Sequence, residues 1–309
     1  MFEIIILLLL LIYLLITYYY FKFAVVRRIT PRFSESKYRN SEKYKDYADE
    51  IIENIKWYRE QNMEEIKIKS DDGLILVANY FPGVHSSKTI ILFHGYHSIA
   101  YNDFACLIRY YHEKNYNLII VDQRAHGRSE GKYIGFGILE RKDAKKWVEY
   151  AYNRFGTDMD IYLHGMSLGA TTVLMTSDFT FPKSVRGIIA DCGFTSPNEI
   201  ICKVIKDKYK LPGWLFVPTM SLYSRIFAHY GFYDFSTKKA LKNAKVPILF
   251  FHGTEDKYVP SYMSEENFNV CTPSKKLVLI DDAVHGMSFF KDKERYIKEL
   301  EEFLKNTKP

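Results

Sequence analysis

The sequence predicts an α/β chain: a mainly parallel, doubly wound sheet of about eight strands, with a helical insertion and an apolar N-terminal helix ahead of it. Three observations carry that expectation. From Glu65 onward short apolar runs alternate with longer helical ones. Most of the short runs are apolar throughout, as strands covered on both faces must be. A charge-free apolar stretch from Ile4 to Phe21 stands near the start. A formal net charge of +6 over 309 residues, with no dense Lys/Arg block, excludes a nucleic-acid partner. The four cysteines, Cys106, Cys192, Cys202 and Cys271, lack C-x-x-C or metal-ligand spacing and suit free thiols in a reducing compartment.

The opening stretch, "IIILLLLLIYLLITYYYF" from Ile4 to Phe21, nearly crosses a hydrocarbon core of roughly 30 Å at about 1.5 Å per residue. A transmembrane anchor over residues 1–26 is expected. The rival, a cleaved secretory signal, needs a basic start and a small-residue cleavage site; here Glu3 precedes the run and Tyr18 to Tyr20 close it. Lys22, Arg27, Arg28, Arg32, Lys37 and Arg39 cluster after the span, so the positive-inside bias places the rest of the chain in the cytoplasm. Residues 27–64 then read as a basic linker and an amphipathic helix, since Tyr44, Tyr47, Ala48, Ile51, Ile52, Ile55 and Tyr58 recur at helical spacing. Acidic residues on its polar face favour packing on the domain over lying on a membrane.

Residues 65–309 form the expected main domain. "EIKIK" and "LILVANYF" flank the Asp72-Gly73 turn as a hairpin, and "TIILF", "NLIIV", "DIYLH", "SVRGIIA", "VPILFF" and "KLVLI" supply the remaining strands. Helices are expected near 102–113, 138–155, 168–178 and 291–304. Such a sheet carries its chemistry on loops at the carboxyl ends of the strands. Residues 193–236 read as a helical cap, apolar over most of its helical surface. That surface must bury against the domain, an acyl chain or a bilayer, and Trp214, Phe216, Met220 and Tyr223 are its candidate substrate-binding residues.

"IYLHGMSLGATT", from Ile161 to Thr172, sets Ser167 between Gly165 and Gly169 on a strand-to-helix turn. A nucleophile on so sharp a turn sits in a strained conformation, and small flanking residues let strand and helix pass closely. The helix that follows offers its positive dipole end to a developing oxyanion. A serine hydroxyl needs a base, and the base an orienting carboxylate. For elbows of this kind the chain order is nucleophile, acid, base, which selects His285 in "LIDDAVHGMSFF". Asp256, after the penultimate strand and beside Glu255, is favoured as the acid on its strand-end position; Asp191 at the end of "SVRGIIAD" is the rival, and Asp281 and Asp282 read as strand caps. The His-Gly turn of "ILFHGYHS" brings the Tyr96 N–H beside the nucleophile, so Tyr96 and Leu168 are the expected oxyanion donors. His94, His97 and His126 match no zinc spacing, and neither a metal nor another cofactor is called for.

"FHGYHS", "VDQRAHGRSEG", "LHGMSLGA", "HGTEDKYVP" and "VHGMS" together resemble, in order, the motif series of α/β-hydrolase-fold serine hydrolases. The likeness is to bacterial BEM46-like or serine aminopeptidase-like members, related in pattern to monoacylglycerol lipases, and runs from Glu65 to Leu304. It implies the α/β-hydrolase fold, a triad of Ser167, Asp256 and His285, Tyr96 and Leu168 as oxyanion donors, and a structural role for Arg124 and His126. Serine at the elbow, where dehalogenase and epoxide-hydrolase relatives carry aspartate, argues against those chemistries. Carboxylic-ester hydrolysis is the leading expectation. A peptidase for short peptides, with Glu199, Asp207 or Asp234 binding the substrate amine, is the alternative, and an inactive membrane-tethered interaction module is the third.

Overall fold

Strand and helix alternate over residues 88–191 because a sheet with apolar side chains on both faces needs a helical layer on each. The structure is a computed structural model that describes residues 1–29 and 33–307, so Arg32 of the basic cluster lies outside the described residues. Three helices come first, α1 (Phe2–Val25), α2 (Glu35–Arg39) and α3 (Ala48–Glu60), then β1 (Glu64–Lys69) and β2 (Ile75–Phe81). The central run is β3 (Lys88–Phe93), α4 (Ala100–Glu113), β4 (Asn117–Asp122), α5 (Glu140–Phe155), β5 (Asp160–Met166), α6 (Leu168–Met175) and β6 (Val185–Asp191). The insertion supplies α7 (Pro197–Tyr209) and α8 (Gly213–Ala228). After it come α9 (Thr237–Leu241), β7 (Ile248–Gly253), α10 (Tyr262–Val270), β8 (Lys275–Ile280), α11 (Ser288–Lys291) and α12 (Lys293–Asn306).

The eight strands form one sheet in the order β1-β2-β4-β3-β5-β6-β7-β8. Only the pairs β1·β2 and β2·β4 are antiparallel; the rest run parallel, as strands joined by crossover helices must. Alternation within each strand divides the core. Ile90, Leu92, Leu249 and Phe251 face α4 and α12 through Phe104, Tyr111, Tyr296 and Leu300. Their neighbours Ile91, Phe93, Ile248 and Phe250 face the other layer, with Trp147 and Val148 of α5 and Val173 and Leu174 of α6. Continuous apolar runs were therefore the right signature of these strands.

Arg124 is buried and fixed as a fork between two carboxylates, with Nε 2.5 Å from Asp143 and Nη1 2.9 Å from Asp72. It ties the β4 loop to the hairpin turn and to α5, a structural use of a bidentate guanidinium. Helix α3 starts at Ala48, four residues later than the periodicity implied; Tyr44 caps a short 3-10 turn instead, and its ring lies against Tyr38. The apolar face of α3, Ile51, Ile52 and Ile55, packs with Ala105 of α4.

Helix α1 has two unlike halves. Ile4, Leu7 and Leu9 are each about three-fifths exposed, whereas Thr17, Phe21 and Val25 are buried. By length and composition α1 is able to cross a membrane, a test that a signal sequence also passes. Its C-terminal half lies against α8: the Tyr13 hydroxyl donates to the Leu215 carbonyl at 2.7 Å, and the Tyr223 hydroxyl donates to the Leu14 carbonyl at 3.0 Å. Pro218 inside α8 has no N–H to give the preceding turn. The chain leaving α1 is then stitched to the domain, with Ile134 N–H bonded to the Val25 carbonyl and Arg27 reaching the Ser129 and Gly127 carbonyls.

Candidate active site

Parallel register levels the strand ends, since Phe93 pairs with Gly165, Met166 with Asp191 and Gly253 with Ile280. Loops leaving β3, β5, β7 and β8 consequently meet at one edge. Ser167 joins β5 to α6 at φ 55° and ψ −113°, a left-handed strain that costs a non-glycine residue roughly 1–3 kcal/mol. The flanking glycines are required by contact: a Cβ on Gly165 would come 2.2 Å from the Gly169 carbonyl oxygen, and one on Gly169 would come 1.8 Å from that of Phe93. The turn can be this tight only with both positions bare.

The Ser167 Oγ stands 3.0 Å from His285 Nε2, and His285 Nδ1 stands 2.6 Å from Asp256 Oδ2. Three residues from separate loops thus form one hydrogen-bonded line. The Asp256 carboxylate is surrounded by donors: Oδ1 accepts from the Tyr258 and Val259 N–H groups at 2.9 and 2.8 Å, and Oδ2 also lies 3.3 Å from His252 Nε2. Burial pushes this carboxyl up, but the hydrogen bonds from His252 and His285 outweigh burial and hold it well below the usual carboxylate range. His252 is fully buried, with Nδ1 2.6 Å from the Ser264 hydroxyl and Nε2 2.8 Å from the Val259 carbonyl. It braces the Asp256 loop. Sequence reasoning passed over it, although its place in "FFHGTEDKYVP" at the end of β7 was the available signal.

The loop that follows β3 comes up beside the nucleophile at Gly95. A Cβ on Gly95 would be 3.3 Å from that of Ser167, and the Gly95 N–H is already taken by Asp103 Oδ2 at 2.7 Å, so the next donor along the loop without a partner among the described residues is Tyr96 N–H. Leu168 N–H opens α6, where first-turn donors have no acceptor within the helix. The histidines around this loop are braces. His94 Nε2 accepts from Gln123 N–H at 3.1 Å, and His126 Nε2 accepts from His97 N–H at 3.1 Å. Burial lowers His97 to about 4. Among the described residues one trio, Cys192, Asp256 and His285, brings ligand-type atoms within 4.8 Å of one another. Burial pushes the Cys192 thiol far up, so it stays protonated, and the other two are engaged with each other.

Comparison with known proteins agrees with this fold. Residues 84–230 match the family model described as Serine aminopeptidase, S33. The esterase Pf2001 of Pyrococcus furiosus superposes with a TM-score of 0.64 at 25% identity, covering 79% of this chain and 91% of that one. The chain is an α/β hydrolase. The hydrolase is also similar to the uncharacterized protein YqkD of Bacillus subtilis, 28% identical over 234 residues, 74% of this chain and 75% of that one. The match to the uncharacterized protein YfhR of Salmonella typhimurium is shorter, 25% identical over 193 residues and 59% of each chain.

Asp191 of the hydrolase, the rival acid, is fully buried and accepts from the Ser288 hydroxyl at 3.3 Å, with no bond to His285 among the described residues. Burial raises its carboxyl to about 6. An unfolded carboxyl of this type titrates near 3.9. Between those values the folded state holds a proton that the unfolded state has released. The contribution of Asp191 therefore favours the fold at about pH 4 and is lost as pH rises through 6. Asp191→Asn is expected to stabilise the protein by about 3 kcal/mol at pH 7.5 and by little at pH 4, read by thermal melts at both values.

The four cap residues singled out in the sequence separate. Met220 lines an apolar cavity of about 160 Å³ that also touches Tyr96 and Tyr258, and the Tyr258 ring lies 5.2 Å from that of His285. Phe216 and Tyr223 pack instead on α1, against Tyr13 and Tyr18, and Trp214 is 73% exposed on the outer face of α8. Helical periodicity in α8 registers an apolar surface without saying that α1 takes part of it. The acids expected to bind an amine are likewise engaged: Glu199 lies 3.1 Å from Lys238, while Asp207 pairs with Lys203 and Asp234 with Arg225.

Proposed function

We propose that the protein is a membrane-anchored serine hydrolase that cleaves carboxylic esters through an acyl-enzyme on Ser167. The observation that carries this reading is the Ser167–His285–Asp256 line, set on a strained elbow beside two backbone donors. His285 Nε2 takes the Oγ proton as Oγ attacks the acyl carbonyl, and Asp256 stabilises the imidazolium. Tyr96 and Leu168 N–H hold the tetrahedral oxyanion, and these donors are in place before the charge develops. His285 then protonates the leaving alkoxide, and water, deprotonated by the same ring, releases the acid.

The apolar cavity next to Tyr96 and Tyr258 favours an acyl chain as the group carried by the carbonyl. Retention of α1 as an anchor, and not as a cleaved leader, is supported by the burial of Thr17, Phe21 and Val25 and by the bonds from Tyr13 to α8. The basic residues after α1 favour a cytoplasmic catalytic side.

A peptidase reading has one observation behind it. A groove of about 610 Å³ on the other side of His285 carries the carboxylates of Glu42, Asp46, Glu255 and Asp282, although Lys43, Lys257 and Lys291 line it too. A panel of p-nitrophenyl esters and aminoacyl p-nitroanilides, run on the full chain in detergent, decides between the two. Ester turnover is expected to exceed amide turnover by at least about a hundredfold in kcat/KM; the reverse order would replace the esterase reading with the peptidase one.

A further inference from the structure

The cavity beside the triad has an unexpected wall. Tyr20 and Ala24 of α1 line it together with Ile201 and Ile205 of α7 and with Tyr96 and Tyr258, the latter's ring 5.2 Å from that of His285. The same turn of α1 is bonded to the oxyanion loop, because the Tyr96 hydroxyl donates to the Ala24 carbonyl at 2.8 Å. That carbonyl lies in the last turn of a helix, where no following helical N–H is available to it, and the tyrosine fills the vacancy. Outside the cavity, α8 runs against α1 and leaves Trp214, Leu222 and Ile226 each more than half exposed. An apolar surface this continuous with a candidate membrane helix fits hydrocarbon on its outer side.

We propose that the C-terminal turn of α1 is a wall of the acyl-chain subsite, so that the helix meeting the bilayer also selects substrates, and the ester's acyl chain enters from the lipid between α1 and the cap. The proposal rests on the serine-hydrolase reading of Ser167. It makes Ala24 and Tyr20 specificity-determining residues and names the substrate class as esters whose acyl chain resides in a membrane or micelle. The cavity is close in size to an engineered apolar cavity of about 150 Å³ that takes up benzene, so roughly six carbons lie inside it and longer chains extend past Tyr20 toward the lipid. One charged side chain, Lys208, lines the cavity, with its ammonium over the rings of Phe23 and Tyr209.

The test uses the full chain in detergent micelles and compares kcat/KM for p-nitrophenyl octanoate and acetate. Ala24→Trp places an indole in the cavity and is expected to lower the octanoate-to-acetate ratio at least about tenfold. Tyr20→Ala removes atoms from the rim and is expected to raise the ratio for dodecanoate over octanoate. Leu9→Trp, on the exposed face of α1 well away from the cavity, is expected to leave both ratios where they were. Labelling of Ser167 by a short-chain fluorophosphonate reports a folded site in each variant. Where Ala24→Trp fails to label, Tyr20→Ala decides alone. Unchanged chain-length profiles in labelled variants would overturn the proposal and leave the hydrolase reading standing. Absence of labelling in the unmodified chain would overturn both.

Discussion

Ser167→Ala is expected to reduce kcat toward esters by about a million-fold and to abolish fluorophosphonate labelling, with the melting temperature little changed. The size follows from what the hydroxyl does. In the proposed mechanism it is the atom that bonds to the acyl carbon; it lies 3.0 Å from His285 Nε2, and no second hydroxyl is bonded to His285 among the described residues. Backbone donors at Tyr96 and Leu168 survive the substitution, so the residue left is a site that binds and polarises the ester without attacking it. Such remnants retain about a thousand- to ten-thousandfold catalysis over water. Stability should hold because alanine occupies the same strained backbone and loses one partly buried hydroxyl only. A variant that keeps its ester turnover, with labelling elsewhere, would remove Ser167 from the mechanism and with it the reason for the elbow.

The elbow was legible because its demands are local. Gly165 and Gly169 are dictated by contacts within a few residues and with the neighbouring strand, and those contacts leave a short, readable spacing. The strands were legible for a related reason: a strand covered on both faces has no room for polar residues, whatever its partners. What escaped reading was set by distant pairings. One face of α8 is taken by Tyr13, Tyr18 and Phe21, about two hundred positions earlier in the chain, and periodicity within α8 contains no trace of them. The braces of the oxyanion loop are of the same kind, since Asp103 and His126 accept from the backbone N–H groups of Gly95 and His97, which any residue type would present. The role of α1 shows the limit most clearly. Composition marks it as apolar enough for a bilayer, but composition does not register that its last turn is a wall beside the triad.

Asp256→Asn is the second large effect, an expected loss of about ten-thousandfold in kcat at neutral pH with substrate binding retained. All four groups directed at this carboxylate are donors: His285 Nδ1–H, His252 Nε2–H and the N–H groups of Tyr258 and Val259. An asparagine must turn its NH₂ toward one pair of them. If it faces the backbone pair, buried donors oppose a donor; if it faces His285, the ring moves its proton to Nε2 and can no longer take one from Ser167. The first costs stability, about 2 kcal/mol for an unsatisfied buried donor, and the second costs catalysis, so calorimetry and kinetics together reveal which orientation wins. Acid sharpens the comparison. The folded carboxyl is held below its unfolded range, so its contribution is present above about pH 4 and drains away as pH falls, and the stability gap between the two proteins should close in acid. Asp191→Asn gives the opposite pattern, gaining stability as pH rises through 6 while keeping turnover within about tenfold, because Asp191 meets Ser288 and not the catalytic ring. If instead Asp191→Asn were the variant to lose activity and Asp256→Asn to keep it, the acid would lie at the end of β6 and the Asp256 loop would be a structural brace only.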